Sequence, residues 1–163
     1  MRVSTTKTTN QIEPGPAADR KPVIFRLRKH ADYQRVYQAS RKQFAKQMTY
    51  FFSLRPQLGP DGTPLRDAGS TTPRVGLTVG KVMGKAVDRN RIKRRMREAV
   101  RKNLSTLEMP VDIILHPRRS VIDLDFQVLE REVAGVFRAV RGAVEKQQMG
   151  AQSSGPAGSG PAA

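Results

Sequence analysis

Eight of the fourteen positions from Arg89 to Lys102 are Lys or Arg, and Glu98 alone opposes them. Guanidinium forks pair bidentately with phosphate and stack on bases, so a cluster this dense is chemistry for gripping a polyanion. The cluster is also patterned. At 100° per residue Ile92, Met96, Ala99 and Val100 fall on one arc with Leu104 at its edge, the apolar stripe of an amphipathic helix. Asn90, Arg94, Arg97 and Arg101 gather on a second face, and Arg91, Arg95 and Lys102 form a third stripe beside it. One side can dock on a core while the rest presents cations outward.

Two plainer readings compete, a solvated helix face and a localisation signal. A solvated helix usually interleaves acids four residues from its cations, and this one has almost none. The chain as a whole carries 30 Lys+Arg against 14 Asp+Glu, a formal charge of +16. Such an excess raises self-repulsion unless a partner neutralises it, and nucleic acid is the partner expected of a basic folded domain. A membrane-surface helix fits less well, because the apolar arc carries no Trp or Phe.

A protein nuclease would need clustered carboxylates for Mg²⁺ or a His/Lys pair for acid–base work. The acids here are scattered, and the two histidines, His30 and His116, stand far apart in sequence. The run from Gly76 to Val82 invites a nucleotide-binding reading, but its glycine spacing is one short of a P-loop and no Ser or Thr follows Lys81. The residues therefore point to binding first, and because residues distant in sequence can meet in the fold, an autonomous nuclease stays as a competing reading.

These side chains must be positioned by a modest fold. Residues 1–22 and 147–163 are rich in Gly, Pro, Ser and Thr without apolar periodicity, and are expected to be disordered. The folded unit then spans 23–146, one domain. Leu27 to Ser40 reads as a short helix with Tyr33 and Tyr37 on one side. Phe44 falls in a short strand. Met48 to Leu54 alternates, with Met48, Tyr50, Phe52 and Leu54 facing one way and Thr49, Phe51 and Ser53 the other. Residues 55–73 hold Pro and Gly and read as a long flexible loop. Arg74 to Gly80 is a further strand, and Asp88 is positioned to cap the basic helix. Val111 to Leu115 has the continuous apolar pattern of a strand covered on both faces. Asp123 or Asp125 can cap a last helix marked by Phe126, Leu129, Val133, Val136, Phe137, Val140 and Val144. The fold class expected is α+β. Without cysteine, an apolar spanning run or a leader-like h-region, the chain reads as soluble and cytoplasmic, with no membrane partner.

The string from Arg74-Val-Gly-Leu-Thr-Val-Gly-Lys81 through Gly84-Lys-Ala-Val-Asp-Arg-Asn-Arg91 to Arg101 closely resembles the signature of the bacterial ribonuclease P protein family. Asp32, Tyr33, Val36 and Tyr37 are similar to that family's first helix, and Asp112-Ile-Ile-Leu115 to the strand after its basic helix. The resemblance implies a mixed four-stranded sheet packed with three helices, in the order α-β-β-β-α-β-α. It also implies a ribosomal-protein-like two-layer sandwich with a left-handed βαβ crossover, against the general right-handed preference. It further implies a protein subunit of the endonuclease that removes the 5′ leader from precursor tRNA. In that enzyme the catalytic RNA carries the chemistry and uses Mg²⁺, with no organic cofactor.

By the same likeness Arg89, Asn90, Arg91, Lys93, Arg94 and Arg97 are expected to contact the catalytic RNA. Tyr33 and Tyr37, with Phe51 or Phe52 opposite, would stack on the single-stranded leader, and Arg74 and Lys81 would add phosphate contacts. Flat rings suit unpaired bases whatever their sequence. Gly80-Lys81-Val82 departs from the family's usual Ser-Lys-Lys, which removes one leader-side cation. A ribosomal or nucleoid structural protein using the same helix is the alternative.

Overall fold

The computed structural model describes residues 26–66 and 68–153, so the N-terminal extension 1–22 and the tail beyond 153 lie outside the described residues. Helix α1 (His30–Ala39) is followed by strands β1 (Gln43–Phe44), β2 (Met48–Leu54) and β3 (Arg74–Leu77). Then come helix α2 (Ala86–Asn103), strand β4 (Val111–Pro117) and helix α3 (Phe126–Ser153). The strands form one mixed sheet in the order β1-β2-β4-β3. β2 runs antiparallel to β4, while β3 runs parallel to it, so α2 is the crossover that a parallel pair requires.

Alternation in β2 and β4 decides what covers each face. Met48, Tyr50, Phe52 and Leu54 join Val111, Ile113 and Leu115 in the main core, against Ile92, Met96, Ala99 and Val100 of α2 and Leu129, Val133, Val136, Phe137, Val140 and Val144 of α3. Phe51 and Ile114 point the other way, into a smaller cluster with Leu27, Tyr33 and Val36. The sheet and the α2/α3 pair are thus the two main layers, and α1 lies on the opposite face.

Several boundaries differ from the sequence expectation. β3 ends at Leu77 rather than Gly80. The Thr78 N–H still donates to Leu115 O at 3.0 Å, but the next bond of a parallel ladder would need an N–H at position 117, which Pro117 lacks. Lys85, not Asp88, occupies the cap position of α2, with no side-chain cap bond. Asp88 lies in the first turn, where its charge still favours the helix dipole. It packs against Gly84, whose φ of +122° requires glycine. Asp125, of the two candidates, caps α3: its carboxylate accepts the Gln127 N–H at 2.8 Å. α3 continues to Ser153, so residues 147–153 are helical rather than part of the low-complexity tail; once nucleated, a helix extends by one bond per residue.

The 55–73 segment is tied down by its own bonds. Gly59 N–H donates to Thr63 O and Leu65 N–H to Gln57 O, and Asp61 accepts the Thr63 hydroxyl at 2.7 Å. Among the described residues no helix is long and apolar enough to cross a membrane.

Candidate nucleic-acid interface

Burying Ile92, Met96, Ala99 and Val100 fixes which cations α2 presents. Asn90, Arg91 and Arg94 are exposed, and Arg89, Lys93 and Arg97 are half-buried. The third stripe divides. Arg95 donates to Leu124 O, and Lys102 lies over the Phe126 ring at 5.0 Å and 4.0 Å from Glu130. Those two cations therefore hold the start of α3, while Arg91 stays outward. Arg101 is engaged by Glu98 at 2.7 Å.

Arg97 turns toward α1. With Arg26, Arg28, Tyr33 and Leu77 it lines a cavity of about 230 Å³ between α1, β3 and α2. Burial, and then the facing charge of Arg26, holds the Arg97 pKa below its usual value. Like charges gathered around a cavity favour an anion between them. The cavity thus joins the cationic helix to the aromatic face of the sheet.

That face is built by α1. Tyr33 lies across Gly76 of β3, so close that any side chain there would meet its ring. Burial, and next Tyr37, raises the Tyr33 pKa, while a backbone hydrogen bond with Leu77 opposes the rise. One turn on, the Tyr37 ring meets Phe51 edge-on at 4.9 Å between centroids, and its hydroxyl lies 2.9 Å from Nε2 of His116. Phe51 and His116 are 5.6 Å apart. Burial, and then Lys42, lowers the His116 pKa, so the ring is neutral at pH 7. Three half-exposed rings therefore stand beside Tyr33 on one surface.

Two expected leader contacts lie elsewhere. Phe52 alternates to the opposite face and packs against the main core, because neighbouring residues in a strand point to opposite sides. Arg74 is engaged by carboxylates: Nε and Nη2 bind Asp112 at 2.8 and 2.7 Å, and Nη1 lies 3.4 Å from Asp32. Its charge is thereby spent inside the protein. Lys81 is exposed on a turn of 3-10 helix after β3.

Sequence reasoning missed Asp112, which is fully buried and also pairs with Arg35 and, at 3.5 Å, with Arg55. Its clue was a single acid in an otherwise apolar strand. His116 was missed as well, although its register with Thr49 places it on the Phe51 face. Among the described residues no group of three or more His, Cys, Asp or Glu can hold a metal ion. Asp32 and Asp112 are occupied by guanidiniums, so these residues do not fit a resident Mg²⁺.

A cationic crossover helix beside an aromatic sheet face defines a small basic α+β domain. The family model described as Ribonuclease P matches residues 22–141. The Ribonuclease P protein component of Finegoldia magna is 34% identical over 113 residues, covering 69% of this chain and 88% of that protein. That of Symbiobacterium thermophilum is 33% identical, covering 69% and 88%. Among solved structures, a Staphylococcus aureus RNase P protein mutant with defective mRNA degradation activity matches at TM-score 0.57 and 25% identity, over 72% of this chain and 88% of that one. The RNase P protein of Thermotoga maritima shares the fold at TM-score 0.56 and 22% identity, over 70% and 96%. The chain belongs to the ribonuclease P protein family, whose members are protein subunits of a tRNA-processing ribonuclease.

Proposed function

We propose that this chain assists a catalytic RNA in the endonucleolytic removal of the 5′ leader from precursor tRNA. In this reading the outer face of α2 binds the RNA subunit, through the exposed Asn90, Arg91 and Arg94 and the half-buried Arg89 and Lys93. Tyr33, Tyr37 and Phe51, now with His116, take the single-stranded leader, and Lys81 contacts its phosphates. Arg97 stands between the two surfaces and serves both. The single observation behind the reading is that one cavity, lined by Arg97 and Tyr33 together, connects the guanidinium helix with the aromatic face.

The protein's contribution is to neutralise phosphate charge and to seat unpaired bases on rings, which supplies affinity without demanding a leader sequence. Bond breaking belongs to the RNA, with Mg²⁺ as the metal of the RNA site, and no step is assigned to a protein side chain. Purified chain added to ribonuclease P RNA and precursor tRNA under limiting Mg²⁺ tests this. Stimulated leader removal is expected. Absence of stimulation, with RNA binding intact, would instead fit a ribosomal or nucleoid structural protein. Cleavage that survives complete removal of RNA would overturn the division of labour.

A further inference from the structure

The aromatic face does not end at Tyr37, Phe51 and His116. Directly paired residues on neighbouring strands project to the same side of a sheet. The register pairs Phe44 with Thr49, and Thr49 with His116. These residues form one row across β1, β2 and β4, on the face that carries Phe51 and Ile114. Two inter-strand spacings separate Phe44 from His116, about 10 Å.

Phe44 is 71% exposed on the two-residue edge strand of the sheet, whose shortness and flanking lysines guard it against unwanted pairing. The Lys42 ammonium lies 5.7 Å from the centroid of its ring, and the same charge acts on His116. The cation–ring contact places Lys42 over Phe44, at the outer end of the row. Among the described residues no carboxylate forms an ion pair with it. Arg41, Gln43 and Lys46 around it are exposed. A protein-docking patch would need contiguous apolar surface. A lone ring set among unpaired cations is instead the composition that binds single-stranded nucleic acid.

We propose that Phe44 and Lys42 form an outer nucleotide subsite, where the ring stacks on an unpaired RNA base and the ammonium takes the adjoining phosphate. The proposal rests on reading the α1 face as the leader site, and it extends that track to the sheet edge. It makes affinity depend on leader length beyond the nucleotides that Tyr33 and Tyr37 can reach.

The test uses the holoenzyme reconstituted with catalytic RNA, and precursor tRNAs whose leaders lengthen one nucleotide at a time. Wild-type affinity should climb with length. Phe44→Ala should remove the last increment, about tenfold, the scale of one base–aromatic stack, while Phe44→Tyr should keep it. Lys42→Ala should lower the magnitude of the salt slope by about 0.7 on long leaders only, the single-strand value for one phosphate. Equal binding by Phe44→Ala and wild type at every length overturns the subsite. So does the same loss at every length, mature tRNA included, because that marks a packing role. If wild type gains nothing from any leader, the cleft reading falls first and takes the subsite with it. A wild-type gain that Phe44→Ala retains in full removes the subsite alone.

Discussion

Replacing Gly76 with alanine tests whether the close approach of α1 to β3 builds the aromatic face. Among the described glycines Gly62, Gly69 and Gly84 have positive φ and Gly76 does not, so space rather than backbone freedom is at stake. An added Cβ would lie 2.7 Å from Cζ and 3.0 Å from Cε1 of Tyr33, and closer still to its hydroxyl. Bringing the hydroxyl, the nearest atom, out to the 3.4 Å of ordinary contact means that the side chain withdraws by about 1 Å. Overpacking of this kind costs about 1–3 kcal/mol. Tyr33 is half-buried and can slide toward solvent, so the low end applies, about 1 kcal/mol, or a fall in Tm of about 4 °C. The functional effect is larger, because the ring leaves its seat beside Leu77. Preference for precursor over mature tRNA, measured by equilibrium binding to the holoenzyme, should fall by about tenfold, the worth of one stack. Adding Tyr33→Phe to Gly76→Ala removes the closest contact and should recover part of the lost stability. Gly76→Ala with unchanged Tm and unchanged precursor preference would refute the reasoning.

Asp112→Asn leaves Arg35, Arg55 and Arg74 around a buried site without their shared anion. Breaking a buried pair costs about 3–5 kcal/mol, and the low end is expected because the Arg35 and Arg74 side chains are 30% and 18% exposed. Chemical denaturation measures it, a loss under about 1 kcal/mol contradicts it, and Arg55→Met in the same chain should restore part of the loss. Arg91→Ala with Arg94→Ala should leave Tm nearly unchanged and lower the magnitude of the salt slope for catalytic-RNA binding by about 1.8; an unaltered slope removes both positions from the interface. For His116 the folded pKa is depressed, by burial first and then by Lys42. The unfolded chain therefore binds more protons just below the ordinary histidine value, and stability should fall as pH drops through that window. His116→Gln should flatten the dependence between about pH 5 and 7, and an identical profile in the variant would exclude His116 as its source.

The Asp112 cluster accounts for three of this basic domain's cations inside the protein. Arg74 comes from β3, Arg35 from α1 and Arg55 from the loop after β2, and all converge on one carboxylate in β4. These cations set the position of α1 on the sheet and so the width of the aromatic face. They are structural anchors, whereas Arg91 and Arg94 on the surface of α2 are available to a partner.

Local periodicity determined a great deal. The apolar arc of α2, the alternation of β2, the doubly covered β4 and the stripe of α3 are each set by neighbours a few residues apart, so the elements and their buried faces were readable from the chain. The motif around Asn90 also carried the family. Tertiary structure decided what depends on residues far apart in sequence. It sent Arg74 inward to Asp112 and Phe52 into the core. It stopped β3 where Pro117 of another strand offers no N–H, and it set Phe44, Thr49 and His116 in one row. A guanidinium reads the same in sequence whether it meets a buried carboxylate or open solvent; only the fold chooses, because desolvation and pairing are properties of the assembled neighbourhood.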